Sequence, residues 1–230
     1  MAHPVPESLE QFAVDLSPPR DDLVREMDDR AAETGFPTVG PAVGNWFQLL
    51  ADLVDARRIF EFGSGFGYSA YWFAQTLSAE GEVVLTEVDA DELESARAYF
   101  DRAGLSDRAS FEHGDALEII ESYDGPFDIV LIDNEKDRYV EAFEAVREKV
   151  PPGGLVLADN MLTAGSAVEF EGVRALLGDE DAEPAEWTEG TRGIVEYLAH
   201  VREAEGFRTS LLPLGEGVAV TYREPRLSRR

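Results

Sequence analysis

The segment RRIFEFGSGFGYSA, residues 57–70, changes character twice within a short span. Ile59, Phe60 and Phe62 make an apolar run of strand length. Gly63, Gly65 and Gly67 follow at alternate positions. Tyr68, Tyr71, Trp72 and Leu77 then recur every three to four residues, the rhythm of a helix with one buried face. Strand, glycine turn and helix together are the unit with which an open α/β sheet builds a ligand crevice at the carboxyl ends of its strands. Glycine lets backbone approach a ligand closely, and the helix N-terminus offers unpaired N–H groups to a carboxylate or phosphate. A dinucleotide fingerprint, G-x-G-x-x-G, would need glycine where Tyr68 stands. The pattern here is Glu61-x-Gly63-x-Gly65-x-Gly67.

Outward from this turn the chain alternates. Upstream, Asp21 to Glu33 reads as an exposed helix, and Pro41 to Ala56 as a helix with Val43, Trp46, Phe47, Leu50 and Val54 on one face. Residues before about 18 read as a short helix or an arm. Downstream come strand Glu82–Val88, helix Asp91–Ala103, strand Ala109–His113, a short helix Ala116–Ser122 and the apolar strand Phe127–Ile132. Helix Glu135–Val150 is stopped by Pro151-Pro152-Gly153-Gly154, and strand Leu155–Ala158 follows. Asp179 to Glu189 reads as a mobile surface loop or an excursion that brings Trp187 near the site. Helix Thr191–Glu203 precedes a terminal antiparallel hairpin, Phe207–Leu214 with Val218–Tyr222, and a frayed tail. Alternating strands and helices predict parallel pairing with right-handed crossovers, in one α/β domain.

The chain has 230 residues, 44% of them hydrophobic, enough for a sizeable core. It has no cysteine, which excludes disulfides and thiolate zinc sites. No apolar run approaches the roughly 20 residues of a membrane span, so no membrane partner is expected. The N-terminus lacks a basic and then apolar leader, so the expected location is cytoplasmic. Formal net charge is −27, and of the 20 basic residues only Lys136 and Lys149 are lysines. Such a composition reads as a halophile's protein, whose self-repulsion high salt screens. It also argues against a nucleic-acid partner, which wants a basic face.

Chemistry-bearing residues stand at the strand ends. Glu87, closing the second strand about 20 residues past the turn, suits the ribose hydroxyls of an adenosine ligand. The third strand runs into His113-Gly114-Asp115-Ala116. The fourth ends at Asp133-Asn134-Glu135-Lys136 and the fifth at Asp159-Asn160. Neighbouring parallel strands would bring Asp133, Asp159 and Asn160 together above the sheet. Two carboxylates and an amide oxygen make a hard oxygen site suited to Mg²⁺. Lys136 stands three residues past Asp133 in a chain that has replaced lysine almost everywhere.

From about Thr38 onward the chain resembles the catechol/caffeoyl-CoA O-methyltransferases, small metal-dependent members of class I. The resemblance rests on Val39-Gly40-Pro41, on Glu61 to Ser69, on Asp133 with Lys136-Asp137-Arg138-Tyr139, on Asp159-Asn160, and on Leu212-Pro213-Leu214-Gly215-Glu216-Gly217. It implies a Rossmann-like class I fold: a mostly parallel seven-stranded sheet with a C-terminal antiparallel hairpin and helices on both faces. Residues 1–37 would be an N-terminal helical arm, 38–224 the methyltransferase domain and 225–230 a tail. It implies S-adenosylmethionine held by Val39, Glu61, Gly63, Ser64, Gly65, Tyr68, Ser69, Glu87, Val88, Asp115, Ala116 and Asp133. Ser69 would meet the methionine carboxylate, and Asp115 and Ala116 would flank the adenine. Mg²⁺, or another divalent cation, would sit on Asp133, Asp159 and Asn160, with Lys136 as catalytic base. The acceptor would be a small catechol-like phenol or vicinal diol, and the assembly a homodimer.

Asn134 and Glu135, Met161-Leu162-Thr163, and Tyr197-Leu198 depart from the family pattern at positions expected to line the acceptor pocket. Within the family the alternative is methylation of a hydroxylated uridine in tRNA. Outside it stand a nucleotide-dependent oxidoreductase, which the missing fingerprint glycine disfavours, and a non-catalytic adenosine-binding module, which the strand-end residues and Lys136 disfavour.

Overall fold

The computed structural model describes residues 3–178 and 183–225. Among them, seven strands form one sheet: β1 (Arg58–Phe62), β2 (Glu82–Glu87), β3 (Ala109–His113), β4 (Ile129–Ile132), β5 (Leu155–Ala158), β6 (Phe207–Leu212) and β7 (Val218–Arg223). Their spatial order is β3-β2-β1-β4-β5-β7-β6. β7 alone runs against the others, pairing antiparallel with both β5 and β6. This is the mostly parallel sheet with a terminal hairpin that the alternating pattern predicts. Phe62 of β1 lies opposite Thr86 of β2 and Ile132 of β4. The order reverses between β1 and β4, and at such a switch point the carboxyl ends of an α/β sheet open a crevice.

Side-chain alternation divides the central strands between two cores. Ile59, Ile129 and Leu131 enter one; Phe60, Phe62, Val130 and Ile132 enter the other. The first core is covered by α2 (Asp22–Thr34), α3 (Gly40–Leu53), α4 (Tyr68–Ala74) and α5 (Ala90–Ala103). The second is covered by α6 (Ala116–Ile120), α7 (Tyr139–Val146), α8 (Phe170–Gly178) and α9 (Glu189–Glu203). α1 (Glu7–Leu16) rests on α3 and buries none of its own residues. Helix ends follow local chemistry: the Asp21 carboxylate caps α2 at Val24 N, and left-handed Gly35 ends it.

In several places the structure departs from the sequence pattern or adds to it. The helix expected over 135–150 is broken: a 3₁₀ turn, Lys136–Arg138, precedes α7. α9 packs so closely on this turn that a Cβ at Gly193 would lie 2.3 Å from the Lys136 carbonyl oxygen. The sequence reading assigns nothing to 164–178, where α8 forms. Trp187, which one of the two readings of its loop brought near the site, packs on Gly172 of α8, where a Cβ would lie 2.6 Å from the indole. Of the loop read over 179–189, residues 179–182 lie outside the described residues, as do 226–230 of the tail. Finally, Lys149, the second lysine, donates to the carbonyls of Ile120 and Tyr123 at 2.6 Å each, where α6 ends.

Candidate active site

The turn after β1 is shaped by close contacts. Gly63 has φ +80°, and a Cβ there would lie 2.7 Å from the Asp133 carbonyl oxygen; Gly65 has φ +49°, and a Cβ there would lie 2.5 Å from the Phe36 ring. Neither position admits a side chain. The Gly65 N–H donates to Glu87 Oε2 at 2.8 Å, so the turn is tied to the end of β2.

Two cavities meet at this turn and share Gly63, Glu87 and Asp133. The larger, about 460 Å³, is lined by Val39, Ser64, Gly65, Tyr68, Ser69, Lys136, Asp159 and Asn160 among others. The second, about 370 Å³, is lined by Val88, Asp115 and Ala116, together with Asn134, Glu135 and Arg138. Asn134 and Glu135 therefore face the Glu87–Asp115 side, not the expected acceptor pocket. Tyr197 is fully buried against Tyr139 and Phe143, and Leu198 packs on the same core. Tyr197 and Leu198 line neither cavity, because α9 turns that face into the second core. Val88 is 63% exposed, an apolar side chain left at the rim of the second cavity. The Arg138 guanidinium bonds Asp115 at 2.8 Å and holds its carboxyl below the usual range.

Glu61, expected to touch the cofactor, lines neither cavity. Alternation along β1 turns it toward α4, where it is fully buried and accepts from the Ser69 hydroxyl. Its second oxygen has no partner, and burial pushes its carboxyl up to about 8. It lies beneath Ser69, behind the cavity wall.

At the other end of the larger cavity, Lys136 Nζ donates to Asp133 Oδ1 at 2.8 Å and to the Tyr139 hydroxyl at 2.9 Å. Tyr139 Oη lies 3.5 Å from both Asp133 Oδ1 and Asn160 Oδ1. Asp159 is 3% exposed, and its Oδ1 has no hydrogen-bond partner. Burial raises the Asp159 carboxyl well above the ordinary range, and the neighbouring Asp133 charge raises it further. Burial raises Asp133 too, against the pull of Lys136. Among the described residues, no three or more His, Cys, Asp or Glu side chains are placed to hold a metal ion. The set here is two carboxylates and an amide. An orphaned, buried carboxylate oxygen beside a second carboxylate costs free energy that a hard cation would offset, so these residues fit a divalent ion.

Four contributions escape sequence reasoning. Tyr139 closes the lysine's contacts. Phe36 covers Gly65. Glu216, on the hairpin between β6 and β7, lines the larger cavity and accepts from the Asn160 amide. Arg138 walls the second cavity. Tyr139 and Arg138, next to Lys136, and Glu216, in the Leu212–Gly217 stretch, lay within motifs that carry the resemblance, but the contact each makes is set by tertiary packing; Phe36 had no local signal.

Residues 12–224 match the family model described as O-methyltransferase. The catechol O-methyltransferase of Niastella koreensis is 34% identical over 169 residues, 71% of this chain and 76% of that protein. The catechol O-methyltransferase of Mycobacterium tuberculosis is 33% identical over 159 residues, 69% of this chain and 70% of that one. Among solved structures, the O-methyltransferase from Bacillus cereus in complex with SAH superposes with a TM-score of 0.78 at 25% identity, covering 94% of this chain and 97% of that one. With its switch-point crevice and glycine turn, this chain belongs to the O-methyltransferase family.

Proposed function

We propose that this enzyme is a divalent-metal-dependent O-methyltransferase that moves the methyl group of S-adenosylmethionine to one hydroxyl of a small catechol-like or vicinal-diol acceptor. The observation that carries this reading is the partnerless, buried Asp159 oxygen in the same cavity as Lys136, Asp133 and the glycine turn. When bound, S-adenosylmethionine supplies the sulfonium methyl, and a divalent cation on Asp133, Asp159 and Asn160 fixes and acidifies adjacent acceptor oxygens.

The chain's own residues do the rest. Glu87 accepts ribose hydroxyls while bracing Gly65, and Asp115, Ala116 and Val88 enclose the adenine. Ser69 and Val39 hold the methionine end. Lys136 takes the acceptor hydroxyl proton as general base, oriented by Asp133 and Tyr139. The remaining contribution is alignment of the acceptor oxygen with the methyl group. The products are a methyl ether and S-adenosylhomocysteine. We further propose a homodimer and a high-salt cytoplasm, the latter from the −27 charge.

Calorimetric titration of S-adenosylmethionine and S-adenosylhomocysteine in molar KCl, with and without Mg²⁺, tests the reading. A catechol is then offered and scanned by mass for one added methyl. Mg²⁺-dependent methylation that Asp133→Ala/Asp159→Ala loses supports it. Binding without turnover of the catechol overturns the acceptor class and moves the search to others, RNA included. A folded protein that binds neither cofactor form overturns the whole reading.

A further inference from the structure

Asn160 is the member of the strand-end set whose chemistry depends on how it is turned. A side-chain amide presents an oxygen one way and an NH₂ group the other, and only the oxygen can face a cation. The orientation is settled by partners. Asn160 Nδ2 donates to Glu216 Oε2; a carboxylate accepts only, so it admits the NH₂ and rejects the oxygen. The opposite atom, Oδ1, is thereby turned toward the Tyr139 hydroxyl at 3.5 Å, the same hydroxyl that lies 3.5 Å from Asp133 Oδ1.

Glu216 does more than meet one amide. Its backbone carbonyl accepts from Leu162 N at 2.8 Å and Thr163 N at 3.3 Å, and the next carbonyl, of Gly217, accepts from Met161 N at 2.9 Å. The hairpin tip is thus bonded to three successive residues after Asn160. Contact is tight: a Cβ at Gly217 would lie 2.5 Å from the Leu162 side chain. Asn160 itself has φ +65°, a left-handed conformation that a non-glycine residue keeps only when its surroundings hold it.

We infer that Glu216 is the positioning residue of the proposed metal site: it holds the Asn160 amide with its oxygen toward the Asp133–Asp159 side, so that the C-terminal hairpin completes a site whose ligands lie on β4 and β5. The inference rests on the metal-dependent reading above. Partners that orient a ligand in this way typically change metal affinity or activity by about ten- to a hundredfold when removed.

The test uses Mn²⁺ as the probe cation, with its dissociation constant read by calorimetry and by electron paramagnetic resonance, without acceptor. Glu216→Ala, which frees the amide to turn, is expected to weaken Mn²⁺ binding about tenfold or more. Glu216→Gln, which keeps an acceptor oxygen, is expected to restore most of it. S-adenosylhomocysteine affinity is the control and is expected to change far less than Mn²⁺ affinity in Glu216→Ala, since Glu216 only shares a cavity wall with Val39 and Ser69. Mn²⁺ affinity unchanged in Glu216→Ala, while Asp159→Ala loses it, overturns the positioning role and leaves the metal site standing. Loss of Mn²⁺ and S-adenosylhomocysteine binding together in both variants also overturns it, as a general structural defect. A wild-type protein that binds no Mn²⁺ overturns the metal reading and this inference with it.

Discussion

Lys136 stands out in the sequence because almost every other basic position is arginine, yet its surroundings differ from those of Lys149 for a reason invisible in one dimension. Lys149 spends its ammonium on two helix-end carbonyls, whereas Lys136 reaches a cavity wall between Asp133 and Tyr139. Lys136→Ala should lower kcat by about 10²- to 10⁴-fold, the range for loss of a general base, while calorimetry finds S-adenosylhomocysteine affinity within about twofold. Glu61 makes the opposite case: its place in the motif suggested ligand contact, and the pleat put it under Ser69. Its carboxyl, pushed up to about 8 from an ordinary value of 4.5, binds a proton in the folded chain that the unfolded chain has already released between those pH values. Stability therefore falls as pH rises from about 4.5 to about 8, by at most about 5 kcal/mol. Glu61→Gln should remove that slope, so denaturant unfolding of the free protein should find it more stable than wild type at pH 8 and much closer to it at pH 5.

α2 and α4 form a pair across the first core, and the pair shapes the cavity. Tyr68 donates to Asp28 at 2.6 Å and Tyr71 to Asp21 at 2.9 Å; Arg20 meets the other Asp28 oxygen at 2.5 Å. The chain leaving α2 then supplies Gly35 to Val39 to the cavity wall. Tyr68→Phe removes one hydrogen bond to a charged partner, a loss of about 1.5–3 kcal/mol. A lower urea midpoint with unchanged slope is expected, with S-adenosylhomocysteine affinity several-fold weaker by calorimetry. Unchanged affinity would separate this helix pair from the cofactor end. The glycine turn, the strands and most helices were readable because each is specified by a short period or a few adjacent residues. The 3₁₀ turn at Lys136–Arg138 and the α8–Trp187 contact were not, since both depend on how α9 and α8 pack.

Across the whole molecule, a charge of −27 repels itself at low ionic strength and is screened within about 3 Å at 1 M salt. Calorimetric Tm should climb steadily from 0.1 to 2 M KCl; a flat response would remove the salt argument. The same acidic surface carries Leu9, Phe12 and Leu16 exposed on α1, and Trp46, Leu49 and Leu53 on the α3 helix it packs against. These stripes are where the proposed homodimer would bury apolar area, so Phe12→Glu/Leu49→Glu should shift light-scattering mass from dimer to monomer. Among the described residues no helix is long and apolar enough to cross a membrane. By itself the sequence determined the α/β alternation, the glycine turn and the acidic strand ends, because strand and turn propensities act over a few neighbours. Only the tertiary structure decided which groups share a cavity. It sank Glu61 beneath Ser69, moved Asn134 and Glu135 to the Glu87–Asp115 side, buried Tyr197, and brought Glu216 from the terminal hairpin onto Asn160. Those outcomes follow from sheet order, pleat and helix docking, which join residues far apart in the chain and leave no mark on any single stretch of it.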